Sequence, residues 1–347
     1  MGRRERVKSA VKMIAGSVFY YGGVFHLVRC LNNLMGRRLT IVTYHRVTDK
    51  RLEEMEFSLP FLFVTQETFT KQLLFLKKHY RVTSFRELES LSSHGRLPRN
   101  SLIITFDDGY EDNFSRAYPL LKRHGVGSTI FLTVGVINDE SVAWWDELFC
   151  RMKALSRNGP KAEDTALSSE LSEMLRQFND DASKLFRDLN GRSESELRTL
   201  VDTLRGVSEV SEILLYSENR FMTWEQAREM KGTVEFGSHT WSHLTLEGQA
   251  ESRVRDELAR SKEELEERLA EKVTAFSYPA GSYSEEAKHL VGECGYSYAV
   301  TMNKGINDER DKYALKRVNI WEGSASVFGR FSRAVFALRL GGIFRSL

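Results

Sequence analysis

Short runs of β-branched and aromatic residues recur through the middle of the chain, at 39–44, 102–106, 128–133, 234–237, 273–278, 296–301 and 315–320, and each predicts a strand. Between several of them the apolar positions change to steps of three and four. Phe69, Leu73 and Leu76 form one such set. Val254, Leu258, Leu265 and Leu269 form another, in a highly charged stretch that begins near Glu251. That spacing predicts helices laid over a sheet. Strands apolar on both faces and alternating with helices indicate a mainly parallel sheet, and seven of them favour an α/β barrel over an open sheet. From about residue 138 to 222 the rhythm breaks: Leu, Met and Phe recur among many charges with no convincing strand. This interval predicts a helical insertion on the loops above the barrel, positioned either to shape a cleft or to act as a cap without substrate contact.

The ends differ from the middle. Residues 1–38 carry a basic start followed by a mostly apolar stretch at 13–28 that contains Gly16, Gly22, Gly23 and His26. The stretch has the look of a signal sequence, but no small-x-small cleavage site follows, Cys30 lacks the small residues that precede a lipidated cysteine, and about 16 residues are few for a bilayer span. Arg3-Arg4 is followed by Glu5 and Arg6 rather than by an apolar residue, which argues against a twin-arginine signal. Cytoplasmic retention is therefore expected over export. Residues 323–347 predict a basic amphipathic helix in which Phe331, Phe336, Leu338 and Leu340 alternate with Arg330, Arg333 and Arg339. Such a helix either lies in a membrane interface or packs its apolar stripe on the domain. With both ends basic and apolar, peripheral attachment to the inner face of a membrane is an expectation.

Composition narrows the classes. The 347 residues hold 50 Lys+Arg against 48 Asp+Glu, a formal charge of +2, too balanced for a protein that reads nucleic-acid phosphates through a basic face. Cys30, Cys150 and Cys294 are odd in number and widely spaced, so neither a disulfide framework nor a cysteine zinc site is indicated; they are expected as buried apolar thiols.

Three segments carry chemistry. Thr105-Phe106-Asp107-Asp108-Gly109-Tyr110 ends a predicted strand with two adjacent carboxylates, which repel unless a cation neutralises one of them. Alone, the segment reads equally as an Asp-Asp-Gly turn. Ser238-His239-Thr240-Trp241-Ser242-His243 follows another predicted strand and places two imidazoles four residues apart, a spacing that sets both rings on one side of a helical turn. Two histidines and an aspartate form a donor set for zinc or another divalent first-row metal, with positions left open for water and substrate. The third segment, Phe276-Ser277-Tyr278-Pro279-Ala280-Gly281, ends a strand in a Pro-x-Gly turn whose backbone N–H groups are suited to an oxyanion.

In this order the three segments resemble the motifs of the polysaccharide deacetylase family, the carbohydrate esterases with a NodB-homology domain. The likeness extends over residues 39–322. Thr43-Tyr44-His45-Arg46-Val47 and the segment from Leu315 through Arg317 to Ile320 are similar to the flanks of exopolysaccharide-type members. The resemblance implies a distorted, TIM-like (β/α)7 barrel and metal-dependent removal of N-acetyl groups from a saccharide. It implies Asp108, His239 and His243 as ligands of a divalent metal, zinc first, and Asp107 as the general base that takes the proton of a metal-activated water. The Ala280 N–H would then help to hold the oxyanion.

The chain departs from the family pattern in three places. Ser277 stands where many members have an arginine that orients the base, and Arg317 on the last predicted strand is the candidate replacement. Ala280 stands where the turn usually carries an aromatic residue. No histidine follows His289, so the usual late general acid is missing, and His45 at the end of the first predicted strand is the candidate instead. Tyr110, Trp241, Trp321 and Tyr278 are the expected sugar-binding aromatics; Trp144 and Trp145 share the same chemistry, and core packing is the competing role for each. The leading expectation is a hydrolase of an N-acetylated polymer or lipid-linked precursor. An O-acetyl esterase with the same metal site, and a degenerate glycan-binding barrel, are the alternatives.

Overall fold

A computed structural model describes residues 3–36, 39–50, 54–55, 58–94, 97–138, 142–160, 168–178, 185, 189, 191–307 and 311–341. Leu39–Tyr44 and Ser101–Phe106 are buried at all six positions each, so both faces must meet apolar partners. They pair in parallel along their whole length, from Leu39 opposite Ser101 to Tyr44 opposite Phe106. The sheet continues through Ser128–Leu132, Val234–Ser238, Ala275–Ser277 and Tyr298–Val300 on one side and Val318–Asn319 on the other, every pair parallel. Leu315 bridges Val300 three residues before Val318, which links the two end strands and curls the sheet toward a barrel. The expected distorted (β/α)7 barrel is thus the architecture found.

The alternation of side chains sorts the strands' apolar residues into two clusters. Ile41, Ile103, Phe131, Ala275, Val300 and Leu315 form one, while Val42, Ile104, Phe106 and Ile130 join the larger core beneath the helices. The last strands are shorter than their apolar runs suggest. Ala275–Ser277 stops before Pro279, which has no N–H to donate, and residues 315–320 yield a ladder only at Val318–Asn319. An eighth short strand, Arg81–Val82, pairs with Ser101 and Leu102. Two residues, one of them exposed, leave no periodic signal in a sequence.

Within the strandless interval the described helices are Trp144–Asn158, Ser169–Phe178, Glu194–Val207 and Glu212–Glu218. The rest of it, at 139–141, 161–167, 179–184, 186–188 and 190, lies outside the described residues.

The N-terminal segment forms two helices, Arg3–Tyr21 and Val24–Leu34, bent by 63° at the Gly22-Gly23 break. No single helix among the described residues is long and apolar enough to cross a membrane. The first helix packs on the final one, Arg333–Leu340, at Gly16, where a Cβ would come within 2.9 Å of the Val335 nitrogen. Phe336, Leu338 and Leu340 are buried there, with Phe336 edge-on to Phe75. The apolar stripe of the C-terminal helix is therefore covered by protein, the second of the two places expected for it; residues 342–347 lie outside the description. Cys150 is buried as expected, but Cys30 is exposed on the second helix, and all three cysteines are free.

Candidate functional site

All strands of a parallel barrel present their C-terminal ends on one face, and four of the chemical segments leave from that end. Asp107 and Asp108 follow Ser101–Phe106, His239 follows Val234–Ser238, His45 follows Leu39–Tyr44, and the Pro279–Gly281 turn follows Ala275–Ser277. The backbone there is unusual. Asp108 takes φ 75°, Thr240 67° and His243 60°, a left-handed region that costs ordinary residues energy and is concentrated at functional sites. Gly109, at φ 91°, must be glycine, because a Cβ would lie 2.7 Å from the Leu132 Cδ2. The histidine pair is not on a helical turn, as its spacing suggested. It sits on a loop turned by the left-handed Thr240, whose hydroxyl accepts the His243 N–H at 3.0 Å.

Asp108 Oδ1 lies 3.5 Å from His239 Nε2 and 3.3 Å from His243 Nε2. Two donors bound at ordinary zinc distances to one tetrahedral ion are separated by roughly 3.3–3.6 Å. These three buried or nearly buried side chains form a group able to hold a metal ion. His239 is oriented further by its Nδ1, which donates to the Ser277 carbonyl at 2.7 Å and so leaves Nε2 free as a ligand. His243 is positioned differently. Its Nδ1 is buried without a hydrogen-bond partner among the described residues, and the ring lies against Trp145, with centroids 4.1 Å apart. Burial alone would raise the Asp108 carboxyl, but hydrogen bonds from both histidines hold it well below the usual range. Burial lowers His243, whereas in His239 the Asp108 contact outweighs burial and raises the ring.

Asp107 belongs to a second, parallel arrangement. Arg317, buried to 1%, reaches up from below the last strand and donates to both carboxylate oxygens at 2.7 and 2.6 Å, a fork-on-fork ion pair. The same guanidinium donates to Thr43 and Thr105 hydroxyls and, at 3.0 Å, to Ser277 Oγ. The small Ser277 therefore accepts a hydrogen bond from an arginine that arrives from a different strand. Burial would push Asp107 up, but Arg317, His239 and His45 overcome it and hold the carboxyl below its ordinary value. His45 Nε2 stands 4.0 Å from Asp107 Oδ2, and its Nδ1 is buried with no partner among the described residues. Burial lowers the His45 ring, partly opposed by Asp108 and Asp107. Ala280 takes φ 53° at the exposed tip of its turn, and its N–H donates to no group among the described residues.

The expected aromatics divide. Tyr110 and Tyr278 are fully enclosed, so neither offers a face to a sugar. Tyr110 is stacked on Phe221 and covered by the Arg46 guanidinium, 4.2 Å from its centroid; the Tyr278 hydroxyl donates to the Tyr313 carbonyl. Trp241 lines a cavity of about 400 Å3 between the insertion helices and the histidine loop, with Arg260 over its ring at 3.4 Å. Trp144 lines the same cavity and donates to the Ser242 carbonyl at 3.1 Å. Trp321 is half-buried beneath Arg339.

Several supports carry no sequence signal. Glu257, 1% exposed, accepts the N–H groups of Trp241 and Ser242 at 2.8 and 2.9 Å and the Ser242 hydroxyl at 2.5 Å, which fixes the loop that bears His243. Asn113, in a π-helical turn after the aspartate pair, donates to the His45 carbonyl at 2.7 Å, and Asp112 accepts from Arg46 and the Val47 N–H. Tyr110 donates to Asp146 at 2.8 Å and accepts from Trp145 at 2.9 Å. The first insertion helix thus braces the histidine side of the site.

Solved structures share this architecture. The deacetylase PplD of Streptococcus pyogenes, in complex with acetate, superposes with a TM-score of 0.54 at 21% identity, over 83% of this chain and 94% of its own. IcaB from Ammonifex degensii does so at 0.54 and 19%, over 88% and 97%. In sequence, YxkH of Bacillus subtilis (strain 168), named for polysaccharide deacetylation, is 23% identical over 299 residues, 85% of this chain and 76% of its own. A poly-β-1,6-N-acetyl-D-glucosamine N-deacetylase of Staphylococcus aureus (strain N315) is 32% identical over 79 residues, 22% of this chain and 27% of that protein. The polysaccharide deacetylase family model matches residues 94–299, more than half the chain, and includes both the aspartate pair and the histidine pair. The motifs, the barrel and the match agree: this chain belongs to the polysaccharide deacetylase family.

Proposed function

We propose that this chain hydrolyses N-acetyl groups on a saccharide, polymeric or lipid-linked, with a divalent first-row metal, zinc first, held by Asp108, His239 and His243. Deacetylation is general to the family. The observation that carries the finer reading is the pairing of an Asp-His-His group at ligand spacing with a second carboxylate clamped by Arg317. A bound cation would supply Lewis acidity, lowering the pKa of water and polarising an acyl oxygen.

The chain's own residues define the remaining roles. Arg317 keeps Asp107 ionised and fixes both its oxygens, so the carboxylate is always ready to accept a proton from the attacking water. The same clamp makes Asp107 a weak base, so the water must be acidified for the transfer to proceed. The free Ala280 N–H supplies a donor for the developing oxyanion, a type of contact worth about 3 kcal/mol or more where it has been removed from other enzymes. Expulsion of the amine requires a proton, and our candidate route is a relay in which the proton that Asp107 takes from the water passes through His45, whose Nε2 is 4.0 Å from Asp107 Oδ2, to the leaving nitrogen.

The test is acetate release from N-acetylglucosamine oligomers, compared with acetylated xylan, with and without chelator. The proposal expects chelator-sensitive release from the oligomers; release from xylan alone would make the chain an O-acetyl esterase. His45→Ala at full turnover with an unchanged pH profile would remove His45 from the acid role.

A further inference from the structure

The two N-terminal helices carry apolar side chains where a packed protein does not need them. On the first helix Val7, Val11, Ile14, Val18 and Tyr21 are all exposed, Ile14 and Val18 at 62%. At 3.6 residues per turn they fall within an arc of about 80°. The opposite face, with Gly16 and Phe19, is the one packed on the C-terminal helix. On the second helix Val24, Leu27, Leu31 and Leu34 are exposed, Leu34 at 76%, and again share an arc of about 80°. Phe25 and Asn33 point the other way and are buried. Tyr21 and Val24, both exposed, flank the Gly22-Gly23 break between the two stripes. Exposed apolar stripes of this kind mark an interaction surface.

Charge identifies the occupant. Residues 1–38 contain Arg3, Arg4, Arg6, Lys8, Lys12, Arg37 and Arg38 against a single acid, Glu5, besides Arg29, which is turned inward onto the His79 carbonyl and Asn100. Arg6 and Lys8, both exposed, project about 100° to either side of the stripe on the first helix. An apolar stripe flanked by cations is the pattern of a helix lying in a bilayer interface, its apolar side in the acyl boundary and its cations among anionic headgroups. A symmetric pairing of two copies would instead bring like cations together.

We propose that the Arg3–Leu34 hairpin docks this protein on an anionic lipid surface, with both helices lying in the plane of the membrane. Spanning is disfavoured by the packing: a span must be apolar all round, and withdrawing these helices would expose Phe19, Phe25 and the C-terminal helix. The surface involves none of the residues of the deacetylase site, so it stands or falls independently of the proposed reaction.

The experiment is flotation of the full chain with phosphatidylcholine vesicles and with vesicles containing roughly one-third phosphatidylglycerol. Binding to the anionic vesicles should be at least about tenfold stronger and should weaken with added salt. The double variant Ile14→Ser/Leu27→Ser should lose about tenfold in vesicle binding and keep the wild-type melting temperature and acetate release, because both side chains are exposed. Equal flotation of variant and wild type, or no flotation of the wild type with either vesicle, overturns the proposal. So does a dimer that forms without lipid and falls apart in the double variant, since the face would then join two copies. Retention in the bilayer after carbonate washing would show spanning helices and overturn in-plane docking.

Discussion

The mouth of the barrel and the N-terminal hairpin invert the same rule in opposite directions. At the mouth, Asp107, Asp108, His239 and Arg317 are charged or polar and almost wholly buried, and each is answered by another buried group. On the hairpin, ten large apolar side chains between Val7 and Leu34 stand exposed, nine of them in the two stripes. A buried polar group and an exposed apolar patch are the two observations about burial that carry information. The difference between the regions lies in what each costs to disturb. The mouth is a coupled network drawn from four strand ends and from Arg317 at the start of the last strand, so removing one member strands its partner. The hairpin stripe is a set of independent side chains whose loss the fold does not feel.

The largest effect should follow loss of a metal ligand. Asp108→Asn and His239→Ala should each abolish stoichiometric zinc binding, read by metal analysis of purified protein, and lower acetate release by about three orders of magnitude, as when one member of a catalytic unit is lost. Next comes the ion pair. Arg317→Ala leaves Asp107 buried and unpaired, and chemical denaturation should show a loss of about 3–5 kcal/mol. The double variant Arg317→Met/Asp107→Asn should regain most of that stability while remaining inactive; if it stayed as unstable as the single variant, the pairing would not be the source of the cost.

Smaller effects depend on pH. Burial raises the Asp146 carboxyl to about 7, above its ordinary value of 3.8. Its stabilising contribution is complete below the ordinary value and is lost as pH rises through about 7. Asp146→Asn, which cannot ionise, should therefore flatten the fall in melting temperature between about pH 5 and pH 8. Burial lowers His79, at the foot of the hairpin, from 6.5 to about 4. Here the sign reverses: the contribution is present above the ordinary value and is lost as pH falls toward about 4. His79 meets Tyr20 by hydrogen bond and Phe25 by ring contact, so amide exchange across residues 3–34 should quicken at about pH 5 relative to pH 7. Smallest of all, Ile14→Ser/Leu27→Ser should leave unfolding free energy within about 0.5 kcal/mol of wild type, which is what sets the hairpin apart from the mouth.

What was readable in the sequence follows the range of each interaction. The strands were legible because burial on both faces demands continuous β-branched and aromatic runs. The aspartate and histidine pairs were legible because each is local, a few residues after a strand. Arg317 could be named only through the guanidinium missing at Ser277, and its route up to Asp107 depends on a register that no local pattern encodes. Glu257 was hidden among the many acids of its helix, since only the fold shows which of them turns inward. Asp146 and Asn113 act across contacts with distant segments. Tyr110 and Tyr278 could not be sorted from the sequence because an aromatic ring with a polar tip fits a sugar platform and a core equally well until its burial is known.

Zinc titration by calorimetry on the wild type, Asp108→Asn and Asp107→Asn, each followed by acetate release from N-acetylglucosamine oligomers, tests the central claim most directly. The wild type should bind one ion per chain and turn over, Asp108→Asn should do neither, and Asp107→Asn should keep the ion and lose turnover. A wild type that takes up no metal, or an Asp108→Asn variant that binds it as tightly as the wild type, would contradict the account.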